Sequence, residues 1–197
     1  MPPPRPCWSC QGLAKESTFC TTCGLIQPPD PKENFFQIFN LPPSFTIDKQ
    51  KLAADYREAQ QRFHPDRFAT RSARERRFSL EHVTRLNAAY QALNDSLNRA
   101  ILLLSLYAPT PPPSPPSDPE FLMEMMELRE ELELIDLRSP STAEAQLNNQ
   151  RQAANARIAT QEALLSAGFA RLARQTDRLR YHRRFLEELD RMEEQLY

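Results

Sequence analysis

Apolar side chains recur at helical spacing through most of the chain, starting near residue 34. Two stripes, in consecutive predicted helices, are long enough to cover one side of a helix. The first steps by +4, +7 and +11 and comprises Leu52, Tyr56, Ala59 and Phe63. The second, on a helix predicted over residues 72–94, steps by +3, +7 and +10 and comprises Val83, Leu86, Tyr90 and Leu93. We expect the two helices to bury these stripes against each other as an antiparallel hairpin.

Prolines and short apolar runs set the boundaries of this helical block. Pro42 stops a short apolar helix over residues 35–41. The first hairpin helix should end at His64, because Pro65 disfavours α geometry in the residue before it. A further short apolar helix, predicted over residues 97–107, closes the block.

A second helical block follows a proline-rich stretch, residues 109–118. The apolar pattern predicts one helix over residues 121–137 and a long helix that begins just after Pro140. Gly168 interrupts the long pattern, and a turn near residues 173–176 would let the last helix fold back. We expect these three helices to form a bundle.

The composition indicates an all-α protein. Only 3 of the 197 residues are glycine, so the tight turns with positive φ that all-β folds require are scarce. None of the 18 prolines lies between residues 66 and 108, so they mark boundaries between helices. The chain divides into four predicted segments: a cysteine module (1–30), the hairpin with its short flanking helices (34–108), a proline-rich linker (109–118) and the bundle (119–197).

Charge and targeting signals bear on the class of partner. The chain has 25 basic and 26 acidic side chains and a net charge of -1, which removes the bulk electrostatic basis for binding nucleic acid or an anionic membrane. The longest mostly apolar run, Ala100 to Ala108, is about half as long as a bilayer span requires. The first residues contain neither a secretory apolar region nor an Arg-rich amphipathic helix. We therefore expect a soluble protein whose charged recognition is local.

All four cysteines lie in the first 23 residues, as two C-x-x-C pairs separated by nine residues. Four thiolates at this spacing are typical of a closed, tetrahedral Zn²⁺ site, with Cys7, Cys10, Cys20 and Cys23 as ligands. Iron in the same geometry and a redox-active disulfide pair are the alternatives. Since so small a module has almost no apolar core, metal binding would have to supply its folding energy.

A His-Pro-Asp tripeptide, residues 64–66, stands at the predicted tip of the hairpin. Pro65 forces a loop there, which should leave His64 and Asp66 exposed in a fixed geometry. Asp66 could accept charge-assisted hydrogen bonds from an arginine of a partner. Basic side chains nearby form a local positive surface that could steer an acidic partner. They are Lys49, Lys51, Arg57, Arg62 and Arg67.

This stretch resembles a J domain, the module that stimulates ATP hydrolysis by DnaK-type chaperones. The tripeptide follows a basic amphipathic helix, and residues 86–93, Leu-Asn-Ala-Ala-Tyr-Gln-Ala-Leu, are similar to the family's second signature. The resemblance implies that His64, Pro65 and Asp66 bind the chaperone together with the basic surface. Two other interpretations are a capped turn and a general base, His64, oriented by Asp66. The enzyme interpretation lacks support, because the sequence has no glycine-rich phosphate loop and no nucleophile motif.

The predicted helix over residues 121–137 has more apolar surface than one buried side requires. One stripe, sufficient to bury a side, comprises Phe121, Met125, Leu128, Leu132 and Ile135. Leu122, Met123 and Met126 lie roughly 100° to 200° from that stripe, and Glu127 and Glu130 lie alongside them. A methionine-rich apolar face suits adaptable partner binding. The alternative is that this second face packs on the other two helices of the bundle.

Residues 120–132, Glu-Phe-Leu-Met-Glu-Met-Met-Glu-Leu-Arg-Glu-Glu-Leu, resemble the carboxy-terminal domain of the HscB family. These co-chaperones deliver the iron-sulfur cluster scaffold protein to a dedicated DnaK-type ATPase. The order of parts is similar, and the cysteine module looks like the amino-terminal extension of metazoan and some other eukaryotic members. The resemblance implies that the scaffold is contacted by Leu122, Met123, Met126, Glu127, Glu130 and, on the last helix, Phe185.

The resemblance implies a non-enzymatic co-chaperone of iron-sulfur cluster biogenesis with structural Zn²⁺. The J domain would stimulate a DnaK/HscA-type ATPase while the bundle binds an IscU-type scaffold. Whether the chain forms a homodimer is left open, and neither nucleic acid nor a membrane is an expected partner. Eukaryotic relatives with the extension imply the mitochondrial matrix, with the cytoplasm as the alternative because no presequence is evident. The alternative functions are a general J-domain co-chaperone with another client and a zinc-knuckle adaptor.

Overall fold

A computed structural model describes residues 5–14, 18–107, 118–166 and 172–195 of the chain. The predicted all-α fold is confirmed, since the described residues outside the cysteine module fold mainly into helices. The helices are α1 (Phe35–Ile38), α2 (Lys49–Phe63), α3 (Ala73–Asn94), α4 (Ser96–Tyr107), α5 (Pro119–Glu133), α6 (Pro140–Ser166) and α7 (Leu172–Glu194). Two short antiparallel strands, β1 (Arg5–Pro6) and β2 (Leu13–Ala14), pair within the cysteine module. Almost all of the predicted linker lies outside the described residues.

The chain divides into two compact units, Met1–Asp95 and Ser96–Tyr197, called here the first and the second unit. Within the described ranges, no helix combines the length and the apolar character needed to cross a membrane.

Side-chain caps set the ends of the hairpin helices. The Asp48 carboxylate accepts hydrogen bonds from the N–H groups of Gln50 and Lys51 at 2.9 and 3.0 Å, so α2 begins at Lys49. Ser72 and Glu75 form a capping box at the start of α3, in which each side chain accepts a hydrogen bond from the other's backbone N–H. Between the helices, residues 65–68 form a single 3₁₀ turn.

The α2–α3 pair buries the two stripes that the sequence predicts. Leu52, Leu86 and Leu93 are buried. Tyr56 and Tyr90 stack with their ring centroids 4.1 Å apart, and the Tyr56 hydroxyl donates to Asn87 Oδ1 at 3.0 Å. The half-buried phenol therefore has a polar partner where the helices meet.

The second unit contains the predicted three-helix bundle, formed by α5, α6 and α7. Its core draws on all three helices and on the α5–α6 connection, and it comprises Phe121, Met125, Leu128, Leu132, Ile135, Ala143, Leu147, Ala154, Phe185 and Leu189. Ion pairs flank this core: Arg151 contacts Asp190 at 2.7 Å and Glu193 at 2.6 Å, and Arg157 contacts Glu124 at 3.1 Å.

Helix α4 lies in the second unit, whereas the sequence places it at the end of the first helical block. Its buried residues include Ala100 and Leu103, and the helix packs on α7. The Arg183 guanidinium also donates to Ser96 Oγ at 3.1 Å. The boundary between the units therefore follows Asp95 and not residue 108, because α7 buries the apolar side of α4.

Two predicted helix boundaries differ from the structure. Helix α5 ends at Glu133, four residues before the predicted end, and the N–H of Leu134 caps it by donating to the Glu130 carbonyl. Ile135 is buried nonetheless, because the chain after α5 turns back onto the core. The turn predicted near residues 173–176 is wrong, since these residues are helical in α7. The connection lies instead between Ser166 and Leu172, around Gly168 and outside the described residues.

Candidate functional site

The four cysteine sulfurs converge on one point. All four Sγ atoms lie within 4.8 Å of one another, and the Cys7–Cys23 and Cys10–Cys20 pairs are each 3.7 Å apart. A tetrahedron with metal–sulfur bonds of about 2.3 Å has edges of about 3.8 Å. The donor set and its spacing therefore fit a single tetrahedral ion held by four thiolates.

The two C-x-x-C segments have the same backbone geometry. The N–H of Gln11 donates to the Cys7 carbonyl at 3.1 Å, and that of Gly24 donates to the Cys20 carbonyl at 2.8 Å. Both closing residues have positive φ, 59° for Gln11 and 73° for Gly24, the conformation in which glycine is least strained. Each segment thus presents its two thiols from one tight turn.

Backbone N–H groups point at the sulfurs of Cys7 and Cys20 and favour the thiolate form of these two residues. The Ser9 N–H donates to Cys7 Sγ at 3.4 Å, and the Thr22 N–H donates to Cys20 Sγ at 3.4 Å. Burial raises the pKa of Cys7, but the N–H groups of Cys10 and Ser9 outweigh it and lower that pKa to about 6. In the same way, the N–H groups of Cys23 and Thr22 lower the pKa of Cys20. Metal binding requires this ionisation.

Gln27 joins the cysteine cluster to the rest of the first unit. Its Nε2 donates to Cys7 Sγ at 3.3 Å and to the Leu25 carbonyl at 2.8 Å. Its backbone carbonyl lies 2.9 Å from Nε2 of His82 on α3. The buried Gln27 therefore contacts a candidate ligand on one side and the hairpin on the other.

Apolar contacts reinforce this junction at the end of α2. Ile26, Phe63, Phe68 and Phe78 form one buried cluster, and Trp8, Phe19, Ala59 and Val83 pack against it. The Phe63 ring stacks on Phe19 at 5.9 Å and on His82 at 4.7 Å. The cysteine module and the tip of the hairpin thus share one core.

The His-Pro-Asp tripeptide projects from this core. His64 ends α2 with φ -55° and ψ 130°, and His64, Pro65 and Asp66 are all exposed. His64 Nδ1 accepts from the Asp66 N–H at 3.3 Å and lies 3.5 Å from Asp66 Oδ2. Behind the tip, the buried Ser79 hydroxyl donates to the Phe63 carbonyl at 2.7 Å. The side chains of the tripeptide are therefore exposed, whereas hydrogen bonds hold its backbone in place.

Two of the predicted basic side chains, Arg57 and Arg67, lie next to the tripeptide. Arg57, His64 and Arg67 line a shallow surface groove of about 330 Å³ together with Gln60 and Gln61. Arg62 does not line this groove; its guanidinium lies 4.7 Å above the Phe19 ring. That cation–π contact ties Arg62 to the cysteine module.

The second face of α5 is exposed to solvent. Leu122 is 41% exposed, and Met123 and Met126 are each 62% exposed. Glu127 and Glu130 are exposed on the same side of the helix. Since Phe121, Met125, Leu128 and Leu132 meet the bundle core, the bundle does not cover this face. We call Leu122, Met123, Met126, Glu127 and Glu130 the α5 face.

Phe185 does not belong to the α5 face. Its side chain is 2% exposed and lies in the bundle core, one helical turn before the buried Leu189. The expectation that Phe185 contacts a partner is therefore corrected, because its position in the helical repeat of α7 turns it inward. Tyr181, one turn earlier, is exposed, with its ring edge-on to Phe121 at 5.6 Å.

Three residues that support the site were not identified from the sequence. Ser79 and His82 each lie four residues before an apolar position of the α3 stripe, Val83 and Leu86, and that spacing could have marked them as inward-facing. Burial lowers the pKa of His82, which keeps its ring neutral beside Phe63. Gln27 carries no comparable signal, because its contacts depend on the folded module.

Comparisons with known proteins agree with this arrangement. The family described as HSCB C-terminal oligomerisation domain matches residues 117–190. The mouse iron-sulfur cluster co-chaperone protein HscB is 40% identical over 105 residues, 51% of this chain and 44% of the relative. A co-chaperone HscB homolog of Aliivibrio fischeri is 35% identical over 170 residues, 83% of this chain and 98% of the relative. The chain thus aligns with less than half of the mouse relative and nearly all of the bacterial one.

A solved structure extends the likeness to both units. The crystal structure of human co-chaperone protein HscB is similar with a TM-score of 0.82 and 30% sequence identity. The match covers 95% of this chain and 97% of the human one.

Ser79→Ala should destabilise the first unit by about 1 to 3 kcal/mol, because it leaves the buried Phe63 carbonyl without a donor. The matched control is Thr84→Ala, which removes an exposed hydroxyl bonded within its own helix at 2.9 Å and should cost less than about 0.5 kcal/mol. Denaturant unfolding followed by the fluorescence of Trp8, the chain's one tryptophan, reports on this unit. Equal stability of the two variants would contradict the assigned role of Ser79.

Proposed function

Because the chain belongs to the HscB family of iron-sulfur cluster co-chaperones, we propose that it presents an iron-sulfur cluster scaffold protein to a DnaK-type chaperone and stimulates the chaperone's ATPase. The observation that carries the proposal is that one chain exposes two different recognition surfaces. The first unit exposes the His-Pro-Asp tripeptide among arginines, and the second exposes the apolar α5 face.

The chaperone binds the tip of the α2–α3 hairpin. Asp66 accepts hydrogen bonds from a cationic side chain of the ATPase, and Arg57, Arg62 and Arg67 steer an acidic surface toward it. The fixed backbone supports this role, because a preorganised loop loses little conformational entropy on binding. His64 aids by accepting the Asp66 N–H, which holds the carboxylate-bearing residue in place.

The scaffold binds the α5 face. Leu122, Met123 and Met126 supply flexible apolar contacts that adapt to the partner, and Glu127 and Glu130 provide charged contacts at the rim. Since both partners bind one chain, binding of the scaffold raises its effective concentration near the chaperone. Hydrolysis of ATP, carried out by the chaperone, then occurs when its client is present.

The cysteine cluster holds one structural Zn²⁺ through Cys7, Cys10, Cys20 and Cys23. Four thiolates complete the tetrahedral shell, so the ion has no open position for a substrate and supplies folding energy alone. The contact of Gln27 Nε2 with Cys7 Sγ supports this role, because ligands of structural metals are usually oriented by such outer hydrogen bonds. We further propose, on the basis of the family resemblance, that the protein acts in the mitochondrial matrix, which imaging of the tagged full-length gene product tests.

The tripeptide is tested by His64→Gln and Asp66→Asn in the full chain. Each variant should abolish ATPase stimulation while the melting temperature stays nearly unchanged, because both side chains are exposed. The control is Glu144→Gln on α6, an exposed carboxylate outside the proposed surface, which should stimulate normally. Full stimulation by a folded Asp66→Asn variant would refute the chaperone-binding role.

The α5 face is tested by replacing Leu122, Met123 and Met126 together with alanine. Loss of this contact area should weaken scaffold binding by 2 kcal/mol or more, roughly 30-fold, with little change in melting temperature. Leu80→Ala is the control, since Leu80 is 58% exposed on α3 and outside the face. Isothermal titration against the purified scaffold measures both. A stable triple variant with unaltered affinity would exclude this docking surface.

Metal content is tested by native mass spectrometry combined with elemental analysis. We expect one zinc per chain, lost on replacing any one cysteine with serine, because three thiolates leave the tetrahedral shell incomplete. Removing the metal should also lower the melting temperature of the first unit, since the module shares its core with the hairpin. Iron as the bound metal, or two disulfides in freshly reduced protein, would contradict the zinc assignment.

A further inference from the structure

The second unit carries its sulfur only as methionine. All four cysteines lie in the first 23 residues, and from Ser96 onward the sulfur-containing residues are Met123, Met125, Met126 and Met192. Three of these lie within one turn of α5. The chemistry of a thioether is therefore concentrated on the helix that carries the α5 face.

The helical repeat divides these methionines into exposed and shielded ones. Met123 and Met126, three residues apart, are each 62% exposed, whereas Met125 is 8% exposed. Met125 lies on the stripe that faces the bundle core, and Met192 is partly buried against the same core. A small oxidant from solvent thus reaches Met123 and Met126 and is kept from Met125, although the three belong to one tetrapeptide.

We propose that Met123 and Met126 form an oxidation-sensitive site through which peroxide switches off docking at the α5 face. This inference rests on the proposed function, because the effect of oxidation is measured as a loss of scaffold binding at the α5 face. The thioether sulfur attacks one oxygen of hydrogen peroxide, an S–O bond forms and the O–O bond breaks. The hydroxide that leaves takes the proton of the new S–OH group and becomes water. The sulfur thus loses two electrons, which the peroxide gains.

The product alters the physical character of the α5 face. A sulfoxide is polar and accepts hydrogen bonds, whereas the thioether is apolar. Docking an apolar partner would bury that oxygen without a donor, which should weaken binding about tenfold or more for one modified residue. The change is reversible, because methionine sulfoxide reductases restore the thioether.

The test treats the full, metal-loaded chain with hydrogen peroxide and removes the peroxide with catalase before the scaffold is added. Peptide mass mapping should show Met123 and Met126 oxidised well before Met125 and Met192. Isothermal titration against the purified scaffold should then show binding weakened about tenfold or more, and treatment with sulfoxide reductases should restore it. Equal oxidation rates at Met125 and Met126 would overturn the assignment.

Two variants separate this effect from oxidation of the cysteine module. The double variant Met123→Leu/Met126→Leu should bind the scaffold with the same affinity before and after peroxide treatment, whatever its affinity before treatment is. Met192→Leu should be as sensitive to peroxide as the unaltered chain. An equal loss of binding in the Met123→Leu/Met126→Leu variant would place the effect elsewhere and overturn the proposal.

The two proposals fail in different ways. If the untreated chain does not bind the scaffold, the docking function is refuted, and the inference with it. If the untreated chain binds and the chain oxidised at both methionines binds equally well, the docking function stands and the oxidation switch is refuted.

Discussion

The junction between the cysteine module and the α2–α3 hairpin depends on the burial of one aromatic side chain, Phe63, the last residue of α2. Its ring lies between Phe19 of the cysteine module and His82 of α3, and its carbonyl accepts the Ser79 hydroxyl. The next residue is His64. A shift of the ring in a close-packed core would therefore move the exposed tripeptide, so the geometry of the tip reflects the packing of the module and of both helices.

The two surfaces that the chain exposes differ in physical character. The hairpin tip is charged, so the chaperone binding proposed for it should depend on long-range steering and weaken with added salt. The α5 face is mainly apolar, so its contribution to scaffold binding should come from the burial of apolar surface, which depends little on salt. The two interactions proposed for these surfaces should therefore respond differently to the same change in salt concentration.

The parts that could be predicted from the sequence depend on local spacing. Helical stripes, the proline boundaries and the paired cysteines are visible because each element specifies itself within a few residues. The partners of Gln27 were not predictable in this way, because tertiary packing decides them. Helix α4 shows the same limit, since its apolar pattern predicts burial but does not say which helix covers it.

The packing of α4 on α7 has a consequence for the order in which the protein folds. Ser96 and Arg183 are bonded to each other but lie 87 residues apart in the chain. During synthesis, all residues of the hairpin are made before the second unit begins. Helix α4, by contrast, can pack on α7 only after the residues of α7 have emerged from the ribosome. Until then its apolar side is uncovered, so the newly made chain itself passes through a stage in which chaperone protection would be useful.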